Sequence, residues 1–138
     1  MPTLKIKLDG HKALPQGSKN AYLHKHTGRI IQTESVKGLK QARQTVSAIL
    51  ADEAQRHGWV IPDKDIPVFI EMTFYYERGK TVKRQHHTTT PDGDKAQRFC
   101  WDAITQALNI WVDDRQVTDW VGRKRYADQN SIEIVISY

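Results

Sequence analysis

Hydrophobic and polar residues alternate in three stretches of the chain, residues 3–8, 68–76 and 132–136. Apolar side chains such as Ile70 and Met72 occupy every second position there, with polar or smaller neighbours between them. A period of two places alternate side chains on opposite faces of an extended chain. These stretches therefore predict three β-strands, each with one face directed to the core.

Two other segments repeat their apolar residues at steps of three and four, which is typical of one face of an α-helix. The first covers residues 37–57, with Ser35 or Glu34 as the residue that begins the helix and Gly58 as the residue that ends it. The second covers residues 93–108. The pattern therefore predicts two amphipathic helices that cover a core.

The remaining segments complete the outline of a single domain, residues 1–138. Residues 10–34 are polar and predict a loop or hairpin, with a short strand at Arg29–Gln32. Residues 116–126 predict a further strand with a basic end. The order β–loop–α–β–α–β–β predicts an α+β fold in which a small mixed sheet carries two main helices on one face. So few strands leave sheet edges open, which favours a dimer.

Charge is distributed unevenly along the 138 residues. The chain has 21 Lys and Arg residues and 16 Asp and Glu residues, which gives a net charge of +5. Residues 1–50 hold nine basic and only two acidic residues. A basic region of this kind favours a polyanionic partner, although such a charge is also common in domains that bind none. The chain has no apolar run long enough to cross a membrane and no secretory leader pattern. Its single cysteine, Cys100, excludes an internal disulfide, so we expect a cytoplasmic protein.

Carboxylates cluster in the second half of the chain. Asp92 and Asp94 are two residues apart at the start of a predicted helix, and in an extended segment both would point the same way. Asp113 or Asp114 could add a third oxygen ligand, and a hard cation such as Mg²⁺, or Mn²⁺ in its place, prefers this type of ligand. Arg98 lies one helical turn after Asp94, where its guanidinium could reach a phosphate.

A simpler interpretation of the same residues needs no metal. Aspartates are common in the first turn of a helix, Arg98 and Asp102 have the spacing of a surface ion pair, and Asp113 and Asp114 suit a turn. His24, His26, His86 and His87 lack the spacing of a zinc site and are expected at the surface or facing phosphate. Spacing alone leaves both interpretations open.

The combination of motifs resembles the RusA-type Holliday junction resolvases, in a phage-like form. Residues 91–95 (Pro-Asp-Gly-Asp-Lys), Arg98, residues 102–104 (Asp-Ala-Ile) and residues 111–117 (Trp-Val-Asp-Asp-Arg-Gln-Val) are similar to the family's Asp-x-Asp-Asn-x-x-Lys, Asp-Ala-Leu and Asp-Asp-x-Gln-Val motifs in the same order. Upstream, residues 15–19 (Pro-Gln-Gly-Ser-Lys) resemble the Pro-x-Gly-Ser-Lys opening of phage-borne members.

The resemblance implies a homodimeric, Mg²⁺-dependent endonuclease that cuts four-way DNA junctions by paired, symmetric hydrolysis, encoded by a phage or prophage and active in the bacterial cytoplasm. By position, Asp92, Asp94 and Asp114 match the metal-binding carboxylates, and Asp113 is a second candidate ligand. Arg98 occupies the position of the functional lysine. Because arginine does not readily release a proton, the alternatives are a junction-binding protein with weak or no catalysis, or a basic structural domain.

Basic residues outside the acidic cluster are predicted to bind the DNA backbone, with recognition by shape because no base-reading motif is visible. The predicted contacts are Lys19, Lys25, Arg29, Lys37, Lys40, Lys83, Arg84, Lys95, Arg123, Lys124 and Arg125.

Overall fold

The computed structural model describes the chain except Ser18, His24 and Ser35, and for residues 19–22 and 31–34 it describes the backbone alone. The elements in chain order are strands β1 (Thr3–Asp9), β2 (Lys19–Leu23) and β3 (Ile30–Glu34), helix α1 (Leu39–Arg56), strand β4 (Val68–Glu77), helix α2 (Gly93–Ala107), a short 3₁₀ helix (Asp114–Gln116), and strands β5 (Val117–Ala127) and β6 (Ser131–Ser137).

Four of the strands form one mixed sheet in the order β1-β6-β4-β5. β1 and β4 run antiparallel to β6 on either side of it, so that Ile6 and Met72 both lie opposite Ile134. β4 and β5 are parallel, and α2 lies in the crossover that a parallel pair requires. The fold is therefore α+β with a small mixed sheet and two main helices, as the sequence pattern predicts.

The core lies between this sheet and the two helices. Every second residue of β1 and of β4 is buried, which confirms the alternation in the sequence. α1 contributes Leu50 and α2 contributes Phe99, and neither side chain is exposed. The helices pack against each other, α1 also contacts β1 and α2 contacts β5. Apolar burial of this kind is the main favourable term in folding.

Three hydrogen bonds hold the loop that follows β1, one to the turn between β5 and β6, one to β4 and one to α2. The Gly10 N–H donates to the Asn130 carbonyl at 2.8 Å, and the buried Tyr76 hydroxyl donates to the Ala13 carbonyl at 3.1 Å. The Gln16 N–H donates to the Lys95 carbonyl in the first turn of α2 at 3.2 Å. Residues 13–17 therefore lie beside the face of α2 that carries the candidate site.

Of two local predictions for residues 10–38, one is confirmed and one needs correction. The predicted loop or hairpin contains an antiparallel pair of strands, β2 with β3, and the short strand expected at Arg29–Gln32 corresponds to β3. Helix α1 does not begin at Ser35 or Glu34, since Glu34 belongs to β3 and Ser35 lies outside the described residues. The residue before α1 is Gly38, whose positive φ of 78° is a backbone conformation that glycine adopts without a side-chain clash. No helix among the described residues is long and apolar enough to span a membrane.

Candidate active site

One face of α2 places three charged residues in a row. Asp94, Arg98 and Asp102 are four residues apart, which is slightly more than one helical turn, so their side chains lie above one another. All three line a cavity of about 320 Å³, together with Gln97, Trp101 and Asp114. These six residues are called the acidic cavity below.

Asp114 reaches the acidic cavity because the short 3₁₀ helix is firmly capped. The Asp113 carboxylate accepts the Arg115 N–H at 2.9 Å, and the Gln116 side chain accepts the Asp113 N–H at 3.1 Å, which forms a capping box. The buried Gln116 amide also donates to the carbonyls of Asp63 at 2.8 Å and Ile66 at 3.2 Å. These contacts hold the turn against the chain before β4 and direct Asp114 towards α2.

The pKa values of the adjacent Asp113 and Asp114 carboxyls are shifted in opposite directions. Burial raises the pKa of Asp114, and the carboxyls of Asp113 and Asp102 raise the pKa further. The Arg115 backbone N–H lowers the pKa of Asp113. Burial first, and the neighbouring acids second, therefore disfavour the anionic form of the Asp114 carboxyl, and a cation in the acidic cavity would relieve the repulsion between these acids.

Asp92 and Asp113 do not line the acidic cavity. Asp92 is the residue before α2, and its carboxylate faces the Lys95 ammonium at 3.8 Å. Asp94 is already helical, so the extended geometry that was expected to point Asp92 and Asp94 in one direction is wrong. Asp113 is a helix cap, as the simpler interpretation suggested. Their assignment as metal ligands stays a prediction.

The acidic cavity has the donor chemistry of a magnesium site. Among the described residues, no three or more His, Cys, Asp or Glu side chains form a ready-made metal cluster. Mg²⁺ needs no such cluster, because it is usually bound by one or two carboxylates, several waters and substrate phosphate oxygens. The cavity offers the carboxylates of Asp94, Asp102 and Asp114, and the buried indole N–H of Trp101 has no hydrogen-bond partner. The residues present therefore fit a hard cation with its waters and a phosphate.

The comparison with protein families settles the class of the protein. The model of the family described as endodeoxyribonuclease RusA matches residues 13–137, nearly the whole chain. The chain belongs to the RusA endodeoxyribonuclease family. It is therefore a DNA endonuclease by family, and the interpretation as a structural domain is set aside. A search of curated proteins found no match.

Two residues at or beside the acidic cavity were not among the sequence-based site candidates. Asp102 was placed in a RusA-like motif and considered as an ion-pair partner of Arg98, yet within the described part of the chain Arg98 makes no ion pair, and Asp102 instead accepts a hydrogen bond from the Gln16 amide. The spacing of Asp94, Arg98 and Asp102 could have identified Asp102. Nothing in the sequence pattern identifies Gln16, which is 86 residues from its partner.

The predicted DNA contacts fall into two overlapping groups. Seven are exposed, namely Lys25, Arg29, Lys37, Lys40, Lys83, Arg84 and Arg125. Five, including two of these exposed residues, contact the protein itself: Lys95 faces Asp92, Arg84 donates to the Tyr126 hydroxyl, Arg123 pairs with Glu71 at 2.9 Å, Lys124 donates to the carbonyls of Thr89 and Pro91, and Arg125 donates to the Lys124 carbonyl. The side chain of Lys19 lies outside the described residues. Lys124 thus ties the loop before α2 to β5, a structural role that the sequence did not suggest.

The histidine prediction needs a correction at His87. This side chain is buried, stacks on Tyr76 with ring centroids 4.3 Å apart, and meets Tyr126 edge-on at 5.0 Å. It therefore faces neither solvent nor phosphate. Burial lowers the pKa of His87, and the Lys124 ammonium lowers it further. His24 lies outside the described residues.

Proposed function

We propose that this RusA-family protein is a Mg²⁺-dependent endonuclease that resolves four-way DNA junctions by paired phosphodiester hydrolysis. The observation that carries the proposal is the acidic cavity, which Asp94, Asp102 and Asp114 line together with Arg98. A cation held by the carboxylates and an arginine beside it can together bind both charged oxygens of a phosphodiester. Family membership supplies DNA as the substrate class.

In this proposal one or two of the carboxylates of Asp94, Asp102 and Asp114 would hold the ion together with waters, and Asp92 and Asp113 are further candidates nearby. Bound Mg²⁺ would polarise the scissile phosphate and acidify the attacking water, and Mn²⁺ could replace it. Arg98 binds a non-bridging oxygen and stabilises the negative charge that grows there during hydrolysis. A permanently charged guanidinium suits this role, but Arg98 does not supply a proton to the leaving oxygen.

The paired cuts require two copies of the acidic cavity, so we propose a homodimer. β1 and β5 are the outer strands of the four-stranded sheet, and an outer strand can pair with a second chain. A phage or prophage origin and action in the bacterial cytoplasm are part of the same proposal, and they rest on the resemblance of residues 15–19 to phage-borne members.

Cleavage of a synthetic four-way junction tests the proposal. We expect paired nicks in Mg²⁺ or Mn²⁺ and none in EDTA. Asp94→Asn should reduce cleavage at least about 100-fold, since it removes a charged ligand, while junction binding is retained or becomes stronger. Asp128→Asn is the matched control, because Asp128 is exposed and lies outside the acidic cavity.

Three outcomes would count against the proposal in different ways. Full activity of Asp94→Asn would remove this carboxylate from the site. Tight junction binding without any cleavage in Mg²⁺ or Mn²⁺ would favour the junction-binding alternative, which the arginine at position 98 motivates. Equal affinity for a junction and for linear duplex would contradict junction selectivity.

A further inference from the structure

A second open cavity adjoins the acidic cavity. It has a volume of about 550 Å³ and is lined by Gln16, Gly17, Arg43, Arg98, Asp102, Thr105 and Gln106. Arg98 and Asp102 line both cavities, so the two are neighbours that share a wall. The second one is called the arginine cavity below, because α1 and α2 each bring one guanidinium to it.

Arg43 is held in the arginine cavity by a buried amide. The Arg43 Nη1 donates to Gln16 Oε1 at 2.9 Å, and Gln16 Nε2 donates to Asp102 Oδ2. Only 5% of Gln16 is exposed. Arginine can only donate and a carboxylate can only accept, so these two partners determine the orientation of the amide. Gln16 thereby separates the guanidinium of Arg43 from the carboxylate of Asp102.

Neither of these two guanidiniums forms a direct ion pair within the described chain. The ion pairs among the described residues include neither Arg43 nor Arg98. Asp102, the carboxylate among the residues that line this cavity, accepts the Gln16 amide. Two guanidiniums in an open polar cavity form a site for an anion, and their planar forks match the oxygens of a phosphate.

Gly17 leaves space for one of these guanidiniums. A Cβ atom on Gly17 would lie 2.6 Å from Arg98 Nη1, and the φ of Gly17 is +105°. The short contact and the positive φ both show that position 17 must be glycine if the wall of the arginine cavity is to keep this geometry. Arg98 can lie between the two cavities only because Gly17 has no side chain.

We propose that the arginine cavity binds a backbone phosphate of the DNA strand that is cut, next to the scissile phosphate in the acidic cavity. This inference rests on the proposed function and adds a second phosphate subsite to it. Arg43 is the residue specific to this subsite, Gln16 positions Arg43, and Arg98 contacts both phosphates. Consecutive phosphates on one strand would then set the position of the scissile bond relative to the metal.

The test measures binding without metal, so that it does not depend on cleavage. Four-way junctions carry a single neutral methylphosphonate at successive positions around the cut site, and their affinity for the full chain is measured in EDTA. For the unmodified protein we expect one position beside the scissile phosphate to weaken binding about tenfold, the size of one charge-assisted contact. Arg43→Gln should weaken binding of the unmodified junction by a similar factor. For this variant, a methylphosphonate at that one position should cause no further loss of affinity.

Two further variants keep the test decisive. Arg56→Gln removes the same charge from the other end of α1, outside the arginine cavity, and should keep the sensitivity of the unmodified protein. Gln106→Glu places an anion on the exposed wall of the cavity without changing the core. It therefore tests phosphate binding in this cavity even if Arg43→Gln does not fold. It should weaken binding to the unmodified junction, and the methylphosphonate at the critical position should relieve that loss.

The proposal is overturned if no methylphosphonate position weakens binding to the unmodified protein, or if Arg43→Gln stays as sensitive as the unmodified protein at every position. Its failure differs from failure of the proposed function. If the junction is cut in Mg²⁺ but the methylphosphonate effect does not depend on Arg43, only the second subsite is refuted. If the methylphosphonate effect depends on Arg43 but no cleavage occurs, only the nuclease mechanism is refuted. Inorganic phosphate that binds the unmodified protein but not Arg43→Gln, with no methylphosphonate position that weakens junction binding, would assign the cavity to free phosphate instead of DNA.

Discussion

Replacing Gly17 with alanine, compared with the same change at Gly58, tests whether cleavage depends on the position of Arg98 independently of the stability of the fold. The added Cβ would lie 2.6 Å from Arg98 Nη1, closer than two such atoms can approach, so the guanidinium must move. Gly58 is the matched control: its φ is +62°, and a Cβ there meets nothing within 4 Å. Both variants strain the backbone, but only Gly17→Ala displaces a residue of the acidic cavity.

The two effects have different sizes. A non-glycine residue at positive φ costs about 1–3 kcal/mol of folding free energy, so both variants should be destabilised within this range. The Arg98 guanidinium is the end of a long flexible side chain, and moving it adds little to this cost. A charged hydrogen bond to phosphate contributes about 1.5–3 kcal/mol, and at 1.36 kcal/mol per factor of ten its loss slows cleavage roughly 10- to 150-fold.

Urea denaturation and single-turnover cleavage of a four-way junction measure the two quantities separately. We expect similar unfolding free energies for Gly17→Ala and Gly58→Ala, and a large loss of cleavage rate for Gly17→Ala alone. If Gly17→Ala cuts as fast as Gly58→Ala under conditions where both are folded, Arg98 does not need its observed position for hydrolysis. The assignment of Arg98 would then be wrong.

Three further predictions concern other side chains. Asp102→Asn should weaken Mn²⁺ binding to the DNA-free protein by about 10- to 100-fold in calorimetry, and unchanged binding would exclude Asp102 as a ligand. Because burial and the Lys124 ammonium lower the pKa of His87, the unfolded state takes up a proton at this residue before the folded state does, so the free energy of unfolding should fall as pH drops below about 6.5. His87→Phe should show a smaller fall between pH 7.5 and pH 5 in urea titrations, and an equal fall would place the effect elsewhere. Burial raises the pKa of the Cys100 thiol, so its reaction with a thiol reagent should follow global unfolding, and fast labelling of the folded protein would contradict this.

The sequence alone determined the features that depend on local periodicity. Alternation in residues 68–76 predicts β4 because successive side chains of a strand point to opposite faces, and burial of Met72 and Phe74 confirms it. The same reasoning predicts that Asp94 and Arg98 share one face of α2, because a helix brings residues four apart together wherever it packs. The motifs in residues 91–117 also identified the family, which the match over residues 13–137 confirms.

The tertiary structure decided which distant groups meet. Gln16 contacts Asp102 across 86 residues because the loop after β1 is hydrogen-bonded to the start of α2, and no periodicity records such a contact. Asp114 joins the acidic cavity because Gln116 holds its turn, whereas Asp92, equally prominent in the motif, faces Lys95 at the helix start. A sequence pattern states which side of its own element a residue occupies. Which elements then face each other depends on how the helices pack on the sheet, and that packing is a property of the whole chain.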